Sequence, residues 1–256
     1  MKYKRLIYVC LLVVVGLVVN IRQSFADPTV KEILEKKIAN DKARNTMECK
    51  VINEWSSPED NKVFESTGYL WMKGKDRYRL EIYDSAGKVE NTTIVNSTAT
   101  VIINNLGTYI VDKREDQDVK VNLSEGEIIE ENTDKFLEYF SCSIKEANGD
   151  IYTIKMIPTP RTVVYNQVSK IEETIDYSKG CEIKGIIYDL SSKPIVTTDF
   201  SDFQSFNGVW MALQKSTKTI SEGNTAIINV IKYEGLKINE GIDDSIFDIE
   251  IPEEVK

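Results

Sequence analysis

The strongest constraint on the fold is a change of period. From Met47 onward, apolar residues recur at every second position in short runs, and the runs are separated by clusters of Gly, Asn, Asp and Ser. Such alternation places apolar side chains on one face of a strand and polar ones on the other. In the first half it predicts strands at Met47–Trp55, Val63–Lys73, Arg77–Tyr83, Val89–Asn96, Thr100–Ile103, Thr108–Asp112 and Val119–Leu123. In the second half it predicts Ile151–Ile157, Val163–Tyr165, Lys170–Tyr177, Glu182–Leu190, Ile195–Phe203, Val209–Ile220 and Ala226–Tyr233. Strands this short, joined by turns such as Gly74-Lys75-Asp76 and Ser85–Lys88, indicate an antiparallel meander.

Two segments break the pattern. Thr29–Asn40 has Val30, Ile33, Leu34 and Ile38 at helical spacing, with Asp27-Pro28 suited to an N-terminus. Glu127–Ser141 reads as the one helical stretch inside the strand sequence, with Asn132, Thr133 or Asp134 as cap and Phe136, Leu137 and Phe140 on one face. No long-period repeat interrupts the chain, which disfavours propellers and tandem arrays. The expected fold is therefore mainly β: a single strongly curved antiparallel sheet of about a dozen strands, an unclosed β-barrel. An N-terminal helix and an internal helical lid would lie over its apolar concave face.

Residues 1–26 read as a secretion signal, with Lys2, Lys4 and Arg5 preceding the apolar run Leu6–Val19 and Ser24-Phe25-Ala26 offering a cleavage site. The alternative is an uncleaved anchor in the inner membrane, although the apolar run is shorter than the roughly 20 residues that span a bilayer. The expected organisation is thus a signal peptide at 1–26 and one domain at 27–256, located in the periplasm. The signal contains four basic residues and no acids, so its removal takes the net charge from −9 to −13. Nucleic acid is disfavoured as a partner, because phosphate binding needs a basic stripe.

The sequence contains no histidine. This rules out Ser-His-Asp and Cys-His triads and His-containing zinc sites, and there is no CxxC pair. No metal or cofactor is expected. Asp243-Asp244 is the one carboxylate pair considered for acid–base or Ca2+ chemistry, against the plainer reading of a solvated turn. Cys49, Cys142 and Cys181 allow at most one internal disulfide, Cys142 with Cys181 being the favoured pair; three buried thiols are the alternative.

Two helices cannot fill a sheet of this size, so the covered face would hold an apolar cavity. Strand alternation groups Leu70 and Met72 with Tyr78, Leu80 and Ile82 on the more apolar face. These five line the expected cavity, and Phe136, Leu137 and Phe140 belong to the lid. The competing reading is that the same residues are filled core.

Three segments resemble the bacterial outer-membrane lipoprotein-carrier superfamily, the LolA/LolB-like fold. They are Gly68-Tyr69-Leu70-Trp71-Met72-Lys73 with its partner Arg77–Glu81, Gly185–Leu190 running through Phe206-Asn207-Gly208-Val209-Trp210, and Ile238-Asn239-Glu240-Gly241-Ile242 through Phe247 to Ile251-Pro252. The resemblance spans nearly the whole of 27–256. It implies an unclosed barrel with an apolar cavity under a helical lid, carrying acylated lipoproteins or lipids or sensing them, without a chemical reaction. Implied partners are a lipoprotein or lipid cargo, an inner-membrane donor and an outer-membrane acceptor, for a monomeric protein. The alternative on the same scaffold is an envelope sensor that binds a membrane protein without transferable cargo. One position departs from the family: the carrier's lid-latching Arg follows the Trp-x-Lys of this strand, and here that residue is Gly74.

Overall fold

The computed structural model describes residues 27–57, 62–74, 77–95, 100–104, 109–112, 119–122, 127–130, 132–162, 164, 167–220 and 226–248. The expected signal at 1–26, Val163, Tyr165 and the Ile251-Pro252 ending lie outside these residues. Helix α1 (Val30–Lys42) comes first, followed by β1 (Thr46–Ser57), β2 (Lys62–Lys73), β3 (Arg77–Tyr83), β4 (Val89–Val95), β5 (Thr100–Asn104) and β6 (Tyr109–Asp112). Next are β7 (Val119–Asn122), β8 (Glu127–Glu130) and helix α2 (Thr133–Tyr139). The chain continues with β9 (Phe140–Asn148), β10 (Ile151–Pro158), β11 (Lys170–Asp176), β12 (Cys181–Tyr188), β13 (Pro194–Phe206), β14 (Val209–Ile220) and β15 (Ala226–Ile238), then a 3-10 helix, Asp244–Phe247.

Thirteen strands make one sheet, in the order β6-β5-β4-β3-β2-β1-β15-β14-β13-β12-β11-β10-β9, and β7 with β8 makes a separate pair. Every pairing is antiparallel. The chain steps outward from β1 to β6, crosses through β7, β8 and α2 to the far edge at β9, and steps back until β15 pairs with β1. β6 and β9 are the two edges, so the sheet is not closed into a barrel. This is the mainly β, single-sheet, two-helix architecture that the period predicted.

α1 begins at a capping box: the Thr29 hydroxyl accepts from the Glu32 amide at 3.3 Å, and the Glu32 carboxylate accepts from the Thr29 amide at 2.7 Å. Ile33, Leu34, Lys37 and Ile38 form its buried stripe. α2 starts at Thr133, nearly two turns after the expected Glu127. The Glu127–Glu130 segment is strand β8, because Ile128 and Ile129 are β-branched and favour an extended pairing. The helix then begins where Asn132 accepts from the amides of Asp134 and Lys135, at 2.9 and 3.2 Å. It stops at Phe140, whose backbone is extended, so Ser141 belongs to β9. β9 is an edge strand with almost every side chain exposed, and it therefore carries no alternation to read. The expected strand around Val164 is instead a turn, in which the Val164 carbonyl accepts from the amides of Gln167 and Val168.

Residues paired directly across an antiparallel ladder share a face. One continuous row can therefore be followed across eight strands: Ile154, Glu173, Gly185, Thr198, Thr217, Asn229, Trp55 and Phe64. Its first part lies under the helices. Ile33 and Leu34 of α1, Phe136 of α2 and Phe140 at the start of β9 pack with Tyr152, Ile154, Met156, Ile171, Ile175, Ile187 and Val196 in the larger core. A second, smaller core joins Met47, Cys49, Val209, Met211 and Ile238. The opposite face is a ladder of ion pairs, such as Lys50–Glu234 at 3.0 Å and Lys232–Glu54 at 2.6 Å.

Candidate functional site

The registers place all five expected lining residues on the helix side of the sheet. Cys49 pairs with Leu70 and Leu70 with Leu80, while Met47 pairs with Met72 and Met72 with Tyr78. Val51 pairs with Gly68, and Gly68 with Ile82. A Cβ on Gly68 would meet the Glu81 carbonyl at 2.6 Å, so β2 and β3 approach here more closely than a side chain allows. Leu70, Met72, Tyr78, Leu80 and Ile82 are each half-buried, unlike the fully buried Ile154 and Ile175 on the same face.

The expected lid residues stand elsewhere. Phe136 and Phe140 are buried in the larger core, their rings 4.8 Å apart, and Leu137 packs at its margin. Leu70 and Met72 pack at the margin of the smaller core. The sheet thus divides into a half sealed by the helices and a half, β1 to β4, where the apolar face is incompletely buried.

Three amides, missed in the sequence, also lie on this face. Asn53 is opposite Ser66, Asn91 opposite Ile82, and Asn229 opposite Trp55. Their side-chain oxygens are buried without a hydrogen-bond partner. Such an acceptor costs about 1–3 kcal/mol, which is unusual for ordinary packed core. The sequence signal was available: an Asn at an inward position of a period-two strand.

α1 is held to the sheet by polar contacts. Lys37 reaches Glu173 of β11 at 3.0 Å and Glu182 of β12 at 3.9 Å, and the Lys37 and Glu173 side chains are 8% and 4% exposed. The Asn40 amide donates to the Trp210 carbonyl and accepts from the Trp210 amide, both at 2.9 Å. Gly180, at φ +66, lets the β11–β12 turn come so close to α1 that a Cβ would lie 2.7 Å from the Lys36 carbonyl. At the end of α1, Asn239 donates to the Ala43 carbonyl at 2.9 Å and accepts from the Asn45 amide at 2.8 Å. The Asn-x-Gly turn thereby ties the chain's last strand to its first helix.

The basic residues near the family's latch position face the other way. Lys73 and Arg77 meet Asp244 at 2.6 and 2.9 Å, and Arg79 donates to the Ile246 carbonyl at 3.1 Å. They clamp the 3-10 helix, whose Phe247 is buried, against the face opposite α1 and α2. Asp243 caps that helix by accepting from the Ser245 amide at 2.9 Å. Both carboxylates of the Asp-Asp pair are therefore occupied in structural contacts. Asp244 is held below the usual carboxylate range chiefly by its hydrogen bond from Lys73.

No disulfide joins Cys49, Cys142 and Cys181. The favoured Cys142–Cys181 pair is separated by the spacing of three strands, from β9 to β12, on the order of 14 Å and beyond disulfide reach. Burial pushes the Cys49 and Cys181 thiols up to about 12, so both are protonated and unreactive at neutral pH. Among the described residues no group of three or more His, Cys, Asp or Glu side chains could hold a metal ion, and no helix is long and apolar enough to cross a membrane.

The fold of this open sheet is similar to that of solved LolA-superfamily and lipoprotein-sorting structures. A LolA superfamily protein from Nitrosomonas europaea matches at a TM-score of 0.58 and 15% identity, over 87% of this chain and 98% of that one. An outer membrane lipoprotein-sorting protein domain from Vibrio parahaemolyticus matches at 0.59 and 12% identity, over 85% and 95%. A DUF1329 family protein from Desulfovibrio piger matches at 0.62 and 14% identity, over 86% and 97%. No curated protein matches the sequence. A family model described as "uncharacterized protein" matches residues 112–250, just over half of the chain, and the chain belongs to that family.

Proposed function

We propose that the protein is an exported, non-enzymatic carrier that shields acyl chains of a lipid or lipoprotein against the helix-side face of β1–β4. The observation that supports this reading most is the contrast within one face: Ile154 and Ile175 are fully buried under the helices, while Leu70, Met72, Tyr78, Leu80 and Ile82 are only half-buried. Apolar side chains aligned on one face and incompletely covered by protein are suited to covering by a ligand. The unpartnered oxygens of Asn53, Asn91 and Asn229 among them fit a face that is not solid core.

Each buried methylene contributes about 0.8 kcal/mol. A 16-carbon chain therefore offers roughly 10 kcal/mol before the costs of ordering and association. No bond needs to be made or broken. The fold shared with a lipoprotein-sorting domain is consistent with the reading, as is a periplasmic location reached through residues 1–26. A donor in the inner membrane and an acceptor in the outer membrane complete the proposal.

The test is native mass spectrometry with lipid extraction on protein purified from a bacterial periplasm. Bound acyl species at near-unit stoichiometry, lost on Leu80→Glu with the fold retained, is the expected result. An apo mass that stays unchanged after incubation with phospholipid and lipopeptide would sink the carrier reading and favour a partner-binding scaffold.

A further inference from the structure

Large apolar side chains exposed among the described residues are not scattered. Trp55 near the end of β1, Val63 and Phe64 at the start of β2, Ile227 at the start of β15 and Val89 at the start of β4 are 38%, 69%, 52%, 45% and 37% exposed. Leu190, just beyond β12, is 64% exposed, and Ile157 closes β10. The registers put these strand termini at one end of the sheet; only Ile144 lies mid-strand. The opposite end, with the turns at Gly149, Gly180 and Gly208, has none of them.

Trp55 and Phe64 are cross-strand partners whose rings stack at 6.3 Å. Solvent gains nothing from an exposed Trp–Phe pair flanked by branched aliphatics, and such patches mark contact surfaces. Lys62, Lys88, Lys193 and Lys218 stand exposed at the same end. The carboxylates of the β3–β4 and β12–β13 turns there are engaged with their own backbone, while Glu65 and Glu90 stand exposed near the lysines. Asp84 accepts from the amides of Ala86 and Lys88, both at 2.9 Å, and Asp189 from the amide of Lys193 at 2.8 Å.

We propose that this end is a docking rim for the surface of a lipid bilayer containing anionic lipids. The choice of a bilayer over a protein partner rests on the carrier reading. Trp55 and Phe64 lie on the same face as the half-buried apolar side chains, one cross-strand pair (Asn53–Ser66) away from Val51 and Gly68, and Ile227 stands beside them on β15. A tail that moves between membrane and protein loses its burial in any water gap, which favours a mouth that meets the bilayer beside the donor or acceptor. Trp and Phe settle at the interface, and lysines reach outward to phosphates along their apolar stems. The chain's net charge of −9 repels the rest of the molecule from the same surface and orients this end towards it.

The experiment uses protein purified from the periplasm, its N-terminus read by intact mass, and vesicles of phosphatidylcholine and phosphatidylglycerol with or without brominated acyl chains. In a Trp71→Phe/Trp210→Phe background Trp55 is the remaining indole, since the chain has three. Quenching of Trp55 by brominated lipid is expected. Trp55→Ser/Phe64→Ser in the native background is expected to weaken sedimentation with vesicles by at least about tenfold, with thermal melting unchanged. An unquenched Trp55, or equal sedimentation of wild type and double variant, overturns the inference. So does a dimer, formed without vesicles, that the double variant abolishes, because a second copy would then cover the rim. Native mass spectrometry on the same samples separates the two ideas. Cargo retained without vesicle binding defeats only the rim, and vesicle binding without cargo defeats only the carrier reading.

Discussion

Glu172 shows how far one side chain can depart from what its sequence position suggests. It sits on the face away from the helices, where a carboxylate is normally a solvated polar residue, yet it is 6% exposed. Lys170 donates to it at 2.7 Å, Tyr188 at 2.9 Å and Lys145 at 3.2 Å. Burial pushes its pKa up, and the three donors together hold it below the ordinary value of 4.5. A depressed folded-state pKa means that the stabilisation is complete above the unfolded value and is lost as pH falls through the folded one. Glu172→Gln should therefore be less stable than wild type at pH 7, by about 1–3 kcal/mol. In urea unfolding the gap should narrow below about pH 4. A gap independent of pH would show that the ionised carboxylate contributes nothing.

At the scale of elements, the sequence read strands far better than it read the segment between β6 and β10. β3 and β14 have the bounds their alternation predicts, although only β14 alternates between buried and wetter positions, β3 being half-buried throughout. β9 was hidden because an edge strand exposed on both faces has no period, and the first half of the expected internal helix was lost to Ile128-Ile129 pairing. The stripe of α1 was legible apart from Lys37, which its charge assigns to solvent although it stands i+4 from Ile33 and i+3 from Leu34 on the buried face. It is buried because Glu173 points up from β11 beneath it. Lys37→Met leaves that carboxylate uncompensated and should cost about 3–5 kcal/mol. Lys37→Met/Glu173→Leu should recover most of the loss, since a buried ion pair is replaceable by apolar side chains of similar volume. Equal losses in the single and double variants, measured by urea unfolding, would show that the pair is not coupled.

For the whole molecule, the two halves of the sheet differ in how they are covered. Amides of β10–β12 lie under the larger core, and those of β2–β4 flank side chains that are mostly half-buried. Hydrogen exchange should therefore be slower in β10–β12 than in β2–β4, and ligand should raise protection chiefly in the latter. Uniform protection along the sheet, unchanged by lipid, would place β2–β4 in a solid core. The carrier reading and the bilayer rim belong to this scale too, since each needs residues far apart in the chain.

The sequence by itself determined the class of fold, the face shared by Leu70, Met72, Tyr78, Leu80 and Ile82, and the exclusion of histidine chemistry. These follow from local rules: a period of two aligns every second side chain, and composition sets which side chains exist. Only the tertiary structure decided that β15 closes onto β1 and that Phe136 and Phe140 pack far from Leu80 in the core order. It also decided that Arg77 holds Asp244 of the 3-10 helix rather than the internal helix α2, and that Trp55, Phe64 and Ile227 meet at one end. Each of these is a pairing between residues remote in sequence, and it is set by the register and order of strands competing for the same backbone hydrogen bonds.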